Sequence, residues 1–281
     1  MNTNMRTSIT IAAIIALTAT GTLAGDTTIV DFSNGAQGWN GPSGIGGATN
    51  IVPTGGNDGE FMQTVFNDFG VTFRNNSNAA FLGDYTTADS ITISIDVQVD
   101  YLNFFGQDVS RPWLVELRDF DTAQGGYPWT SAWFLFDNIS QAQNSKWTTY
   151  SVTFDPNAID LPAGWGGFGA EDPNTFEPIL PDGVTFTDVL SGVDQVAFTT
   201  LQPGFFFAFT DHTIGLDNIT ITHTASCLAD LTDDGELNFF DVSAFLSAFT
   251  SQDPIADFNG DGNFNFFDVS DFLGAFTAGC P

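Results

Sequence analysis

Ile91-Thr-Ile-Ser-Ile-Asp-Val-Gln-Val99 alternates apolar and polar residues without a break. A period of two puts Ile91, Ile93, Ile95, Val97 and Val99 on one face, which predicts a strand buried on one side only. Trp113-Leu-Val-Glu-Leu-Arg118, Trp147-Thr-Thr-Tyr-Ser-Val-Thr-Phe154 and Val193-Asp-Gln-Val-Ala-Phe198 read the same way. Further strands are predicted over 28–32, 61–66, 70–74, 131–136, 204–209 and 214–222. Gly, Pro, Asn and Asp clusters separate these runs, and only Phe186 to Leu190 suggests a helix between them. About ten short strands over 26–224 predict a mainly β domain, a two-layer sandwich of jelly-roll type. In the last strand Ile214 and Leu216 keep one phase, then Ile219 and Ile221 take the other. The slip at Asp217-Asn218 predicts a β-bulge.

Beyond 224 the pattern changes. Asp230-Leu-Thr-Asp-Asp-Gly-Glu-Leu-Asn-Phe-Phe-Asp241 recurs, 27 residues on, as Asp257-Phe-Asn-Gly-Asp-Gly-Asn-Phe-Asn-Phe-Phe-Asp268. Each twelve-residue stretch has oxygen-bearing side chains at positions 1, 3, 5, 9 and 12 and Gly at position 6. Calcium loops need that spacing: oxygen donors surround a hard cation, position 7 offers its carbonyl and Gly permits the turn. Val242, Phe245, Leu246 and Phe249 follow the first loop, and Val269, Phe272, Leu273 and Phe276 the second. Both sets fall at i, i+3, i+4 and i+7, one face of a helix. An entering helix is missing, since only Cys227-Leu-Ala precedes Asp230 and Pro254 lies just before Asp257. Each repeat is therefore a loop and one helix, and the two Phe/Leu faces are expected to pack against each other.

This duplicated loop-helix arrangement over about 227–281 resembles a dockerin, the small calcium module that attaches secreted bacterial proteins to a cohesin partner. Cys227 before the first loop and Gly279-Cys280-Pro281 at the end resemble the GC-type variant. The resemblance implies two calcium ions. Asp230, Thr232, Asp234, Asn238 and Asp241 would hold one with the carbonyl of Glu236. Asp257, Asn259, Asp261, Asn265 and Asp268 would hold the other with the carbonyl of Asn263. Thr232 stands where Asn or Asp is usual, and the interval between repeats is shorter than in the cellulosomal type. The resemblance also gives loop positions 10 and 11, Phe239, Phe240, Phe266 and Phe267, a part in choosing the partner, a cohesin-like protein or another extracellular scaffold. Alternatively these four Phe complete a core too small to close without them. Cys227 and Cys280 are the chain's only cysteines. A bridge between them would close the module and stabilise it by roughly 4 kcal/mol in the chain-entropy model; two free thiols or a catalytic Cys are the alternative. A module of this size is expected to need such staples.

Residues 1–24 carry Arg6, an apolar run Ile9 to Leu17 and Thr22-Leu23-Ala24 before Gly25, which predicts a secretory signal. Its apolar part is too short to span a membrane. The formal net charge is −29, and beyond the leader only Arg74, Arg111, Arg118 and Lys146 are positive. Such a surface repels nucleic acid and anionic membranes. A secreted or cell-surface location follows, where calcium is plentiful and a disulfide persists.

Phe32-Ser-Asn-Gly-Ala-Gln-Gly-Trp39, Trp147-Thr-Thr-Tyr-Ser-Val152, Phe186-Thr-Asp-Val-Leu-Ser-Gly-Val-Asp-Gln-Val196 and Gly215-Leu-Asp-Asn-Ile-Thr-Ile221 are together similar to the laminin B domain, and more loosely to jelly-roll carbohydrate-binding modules. The resemblance implies a sandwich used for binding or adhesion and names no ligand. In such jelly rolls an acid at the last-strand bulge and another near the first strand can hold a structural calcium. Asp31 and Asp217 are the candidates, unless Asp217 and Asn218 simply cap a turn or face solvent.

Catalytic patterns are scarce. His212 and His223 are the only histidines, and Gly41-Pro-Ser-Gly44 lacks the spacing of a nucleophile elbow. No zinc pattern occurs. Glycosidases need two carboxylates facing one bond. Glu116, Asp119 and Asp121 do not match the Glu-x-Asp-x-x-Glu of laminarinase-like jelly rolls, and an exposed strand face shared by Glu116 and Arg118 explains them. Glu171 and Glu177 fall in a Pro-rich loop. Sugar stacking needs aromatics on a rigid exposed surface. Trp165, in Gly164-Trp-Gly-Gly-Phe-Gly169, and Trp129, in Tyr127-Pro-Trp129, are the candidates, against a loop-anchoring role. Trp39, Trp113, Trp133 and Trp147 are expected in the core. Three readings stay open: a secreted non-catalytic binding or adhesion protein with polysaccharide as its expected ligand, a polysaccharide-degrading enzyme, or a structural surface component.

Overall fold

The computed structural model describes residues 26–224, 227–232 and 234–279. Among these the chain forms two compact units, 26–224 and 227–279. The expected leader 1–24, the linker residues 225 and 226, and Cys280 lie outside the described residues.

The first unit is a β-sandwich. In chain order its strands are β1 (Asp26–Val30), β2 (Trp39–Asn40), β3 (Gly47–Gly56), β4 (Gly59–Asp68), β5 (Thr72–Asn75), β6 (Ser90–Phe104), β7 (Gln107–Asp108) and β8 (Arg111–Asp119). Then come β9 (Thr130–Ile139), β10 (Thr148–Phe154), β11 (Trp165–Phe168), β12 (Ala170–Glu171), β13 (Pro178–Ile179), the helix α1 (Phe186–Leu190), β14 (Gln195–Thr199) and β15 (Thr210–Thr224). One sheet runs β10-β6-β15-β4-β3, with β1 beside β15 and β7 beside β6; the other runs β11-β9-β8-β14-β5-β2. Neighbours in both pair antiparallel, so each strand can present one face to the core.

Ile91, Ile93, Ile95, Val97 and Val99 of β6 are all buried, as their period demands. They face Trp113, Val115 and Leu117 of β8 and Val196 and Phe198 of β14 across one core. Each such side chain contributes about 1.5–3 kcal/mol when fully buried. In β15 the register against β6 shifts between Asp217 and Thr220, and Asn218 has φ 47°, a left-handed conformation that Asn tolerates. This bulge lets Ile214 and Leu216, then Ile219 and Ile221, all reach the core.

Several expectations need correction. Residues 204–209 form no strand; they are loop leading into β15. β3 escapes the sequence reading because Pro53 and its glycines disguise it, and it is tolerated as an edge strand. Trp165 is not a surface platform. It is 9% exposed, its ring 4.8 Å from Phe154, 5.1 Å from Phe186 and 5.6 Å from Phe134. Its flanking glycines misled: Gly166 pairs with Trp133 in β9, whose indole crosses it so closely that an added Cβ would lie 2.2 Å from the ring. Trp133 and Trp147, expected in the core, are half-buried instead, their indole N–H groups donating to the carbonyls of Gly167 and Gly55. Trp39 and Trp113 are buried.

The second unit holds α2 (Phe239–Ser251) and α3 (Phe266–Ala278), with a 3-10 turn at Pro254–Ala256 where the proline forbids a longer entering helix. Phe245 and Phe272 stack at 4.1 Å and 5°, and Phe258 meets both edge-on. Among the described residues Phe245, Phe272, Ala229 and Ala256 make the buried core, and the half-buried Phe258 packs against it. Leu246 and Leu273, expected inside, are 53% and 48% exposed. Phe239, Phe240, Phe266 and Phe267 do not complete the core either; they are 65–76% exposed. At 3.6 residues per turn, Phe239 and Phe240 point about 120° and 140° away from Phe245, whereas Asp241 lies about 40° from it and is buried.

Candidate functional site

Alternation puts a second set of side chains on the outer face of the six-stranded sheet. One row across it is Gln195 (β14), Arg118 (β8), Ser131 (β9) and Phe168 (β11). The next is Arg74 (β5), Ala197 (β14), Glu116 (β8) and Trp133 (β9). Above them a cavity of about 380 Å³ opens between Arg74, Glu116, Arg118, Trp129 and Phe168 on one side and the loop 201–205 on the other.

The floor is a fixed polar network. Arg118 donates to Glu116 Oε2 at 2.6 Å and to Gln195 Oε1 at 2.7 Å. Ser131 Oγ and Trp129 Nε1 donate to Glu116 Oε1 at 2.7 and 3.0 Å. The Arg118 guanidinium lies 4.0 Å from the Trp129 ring, a cation–π contact that adds roughly 0.5–2 kcal/mol. Trp129 is thus held at its edge and across one face. Phe168, 6.0 Å away, and Tyr127, 5.3 Å beyond Phe168, continue the aromatic surface. Glu116 and Arg118 share a face as expected, but that face is not solvent: their side chains are 4% and 9% exposed. Trp129 and Phe168 close over them, a cover that no local sequence pattern announces. Asp119 is buried too, and caps a turn by accepting from the N–H groups of Asp121 and Thr122. Glu171 and Glu177 are exposed. Of the two tryptophans expected to stack on sugar, Trp129 lies in this groove and Trp165 does not.

Asp31 and Asp217 make no hydrogen bond to each other. Asp31 accepts from the N–H and hydroxyl of Ser33 at 3.0 and 2.7 Å, which lowers its pKa. Asp217 accepts from the N–H groups of Asn57 and Asn218 at 2.7 and 2.8 Å, and burial pushes its carboxyl up. Asp96 beside it accepts from both of those asparagine side chains. The cluster ties the β3–β4 turn to the bulge.

In the second unit both twelve-residue loops curl in the same way. Asp230 accepts from the N–H groups of Asp234 and Gly235, and Asp257 from those of Asp261 and Gly262. Asp241 accepts from Thr232 and Asn238, and Asp268 from Asn259 and Asn265. Asn238 and Asn265 cap the helices, and their amides donate to the carbonyls of Glu236 and Asn263. Position 9 thus acts first as an N-cap, which suits a ligand that reaches its cation through water. Among the described residues no three His, Cys, Asp or Glu side chains converge into a ready cluster; the remaining donors of each loop are Asn, Thr and carbonyl oxygens. Residues 227–281 hold ten Asp and Glu and no Lys, Arg or His, so the buried Asp241 and Asp268 have no cationic partner of their own unit. That charge excess and all-oxygen donor set fit a hard divalent ion. Cys227 is buried, and no cysteine among the described residues is free.

No family's sequence model matches the chain, and no curated protein matches it. Solved structures similar to it include the family 11 carbohydrate-binding module from Clostridium thermocellum in complex with a β-1,3-1,4-mixed-linked tetrasaccharide, 16% identical over 73% of this chain and 99% of that one, TM-score 0.41. The family 11 module of the cellulosomal cellulase Lic26A-Cel5E of Clostridium thermocellum is 15% identical over 72% and 98%, TM-score 0.43. A xylan-binding domain from family 22 is 9% identical over 71% and 95%, TM-score 0.38. Likeness at this level says nothing of what this chain binds.

Proposed function

We propose that the sandwich binds polysaccharide in the groove on its six-stranded sheet, and that the C-terminal unit is a calcium-dependent, dockerin-like module tethering it to a cohesin-like or other extracellular scaffold. The observation that carries the first half is Trp129, fixed over Arg118 and hydrogen-bonded to Glu116 at the mouth of a groove about 380 Å³ in volume. A rigid indole beside amide and guanidinium donors suits a ring that is apolar on its face and hydroxylated at its rim. Binding without cleavage is favoured because, among the described residues, Glu116 is the one acid lining the groove and is already engaged by three donors, whereas glycosidases need a second carboxylate. A glycan array on the full chain tests this. Trp129→Ala should abolish the signal; an array with no signal for the wild type refutes the reading.

Two ions in the loops would neutralise acids that no basic residue pairs. Asp230, Thr232, Asp234, Asp241 and the Glu236 carbonyl would hold one; Asp257, Asn259, Asp261, Asp268 and the Asn263 carbonyl the other. A Cys227–Cys280 bridge would add a second staple, and the exposed Phe239, Phe240, Phe266 and Phe267 would meet the scaffold. Large exposed aromatics repeated on two equivalent helix starts support such a contact. With reductant present, a chelator should melt the tail and leave the sandwich folded; an unchanged helical signal would refute the calcium role. The predicted leader favours secretion, and among the described residues no helix is long and apolar enough to cross a membrane.

A further inference from the structure

The distribution of positive charge points to the class of sugar. The chain carries only 5 Lys and Arg against 34 Asp and Glu, so a basic side chain at a cavity is not background here. Arg74 and Arg118 line the same groove. Arg118 is neutralised by Glu116. Arg74 is exposed and, among the described residues, has neither an ion pair nor a hydrogen bond. Ala197 stands between Arg74 and Glu116 in the cross-strand row and is itself fully buried. Arg74 also borders a neighbouring cavity of about 340 Å³, which shares Thr72 and Leu201 with the first. The acid there, Asp68, accepts from the N–H of Phe69. Among the described residues no acid lies within ion-pair distance of Arg74, so the groove has one guanidinium without an ion-paired counterion.

We infer that the ligand is an acidic polysaccharide, with a sugar ring on Trp129 and a neighbouring carboxylate or sulfate on Arg74. This rests on the groove being the sugar site. A guanidinium fork matches a planar carboxylate or a sulfate with two parallel N–H···O bonds, which a neutral hydroxyl cannot reproduce. The protein's overall negative field opposes an anionic chain at long range, but at physiological salt it is screened beyond about 8 Å, so contact chemistry decides.

The test is calorimetric titration of the full chain with short oligosaccharides of equal length: oligogalacturonate for the carboxylate, a sulfated galacto-oligosaccharide for the sulfate, and mixed-linked gluco-oligosaccharide as the neutral control. Arg74→Gln should weaken the acidic ligand by about ten- to hundredfold, the worth of a charge-assisted hydrogen bond, and leave the neutral one unchanged. Arg74→Lys should recover only part, since the charge returns without the fork. Equal binding of neutral and acidic ligands, insensitive to Arg74→Gln but lost in Trp129→Ala, would overturn the inference and leave the groove intact as a sugar site. Binding that Trp129→Ala does not change would remove the groove reading itself. A preference for the carboxylate or for the sulfate ligand, lost in Arg74→Gln, supports the inference and tells the two sources apart.

Discussion

Replacing Glu116 by Gln changes one atom and should be costly. The carboxylate accepts three hydrogen bonds, two at Oε1 from Ser131 and Trp129 and one at Oε2 from Arg118. An amide has one acceptor oxygen, so its NH₂ must face either Arg118 or the Ser131–Trp129 pair, donor against donor. Arg118 would also keep a buried charge with no counterion, its side chain being 9% exposed. Breaking a buried pair from one side costs about 3–5 kcal/mol. For a domain of this size each kcal/mol moves the melting point by about 2–4 °C, so the sandwich transition should fall by roughly 6–20 °C. Glu116→Met combined with Arg118→Met removes both charges and should restore most of that stability, while sugar binding stays lost because Trp129 has no floor. Differential scanning calorimetry of the full chain, following the sandwich transition, measures this. A Glu116→Gln shift below 2 °C would refute the picture of a buried, pre-ordered floor, as would a double variant less stable than the single one.

Phe272→Ala should remove about 3–5 kcal/mol from the second unit, whose core is two stacked Phe and two Ala; Phe240→Ala should change its stability by less than about 0.5 kcal/mol. Chemical denaturation of the tail separates them, and similar effects would put Phe240 back in the core. His212 is buried, which lowers its pKa, and Arg111 lowers it further while the Phe66 carbonyl opposes. The folded state thus keeps the ring neutral while the unfolded chain takes up a proton as pH falls through about 6.5. This part of the sandwich's stability is therefore full above pH 6.5 and lost below it; denaturant midpoints from pH 8 to 5 should fall in the wild type and stay flatter in His212→Gln. Gly166→Ala would set a methyl 2.2 Å from the Trp133 indole. It should cost about 1–3 kcal/mol and change the Trp133 near-ultraviolet signal; an unchanged spectrum and melting point would contradict the contact.

Local order was legible wherever it depends on a chain's own period. The alternation in 91–99, the phase slip at Asp217-Asn218, the short helix at Phe186 and the two loop-helix repeats are properties of consecutive residues, so the sequence by itself determined them. Trp165 and Trp129 show where that ends. Both sit among glycines and prolines, and both look like loop aromatics. Only the pairing of β11 with β9 turns one inward to Phe154 and Phe186 and leaves the other on the outer face above Arg118. The same holds for Arg74, which shares nothing with Arg118 until β5, β14 and β8 lie side by side. Depth is decided likewise: Phe239 and Phe245 are the same residue type in one helix, and helical rotation against α3 buries one and exposes the other. Periodicity is a one-dimensional constraint that sequence carries directly. Which faces meet depends on strand order and register, which arise from contacts between residues far apart in the chain, so the groove, its buried ion pair and its spare guanidinium were settled only by tertiary structure.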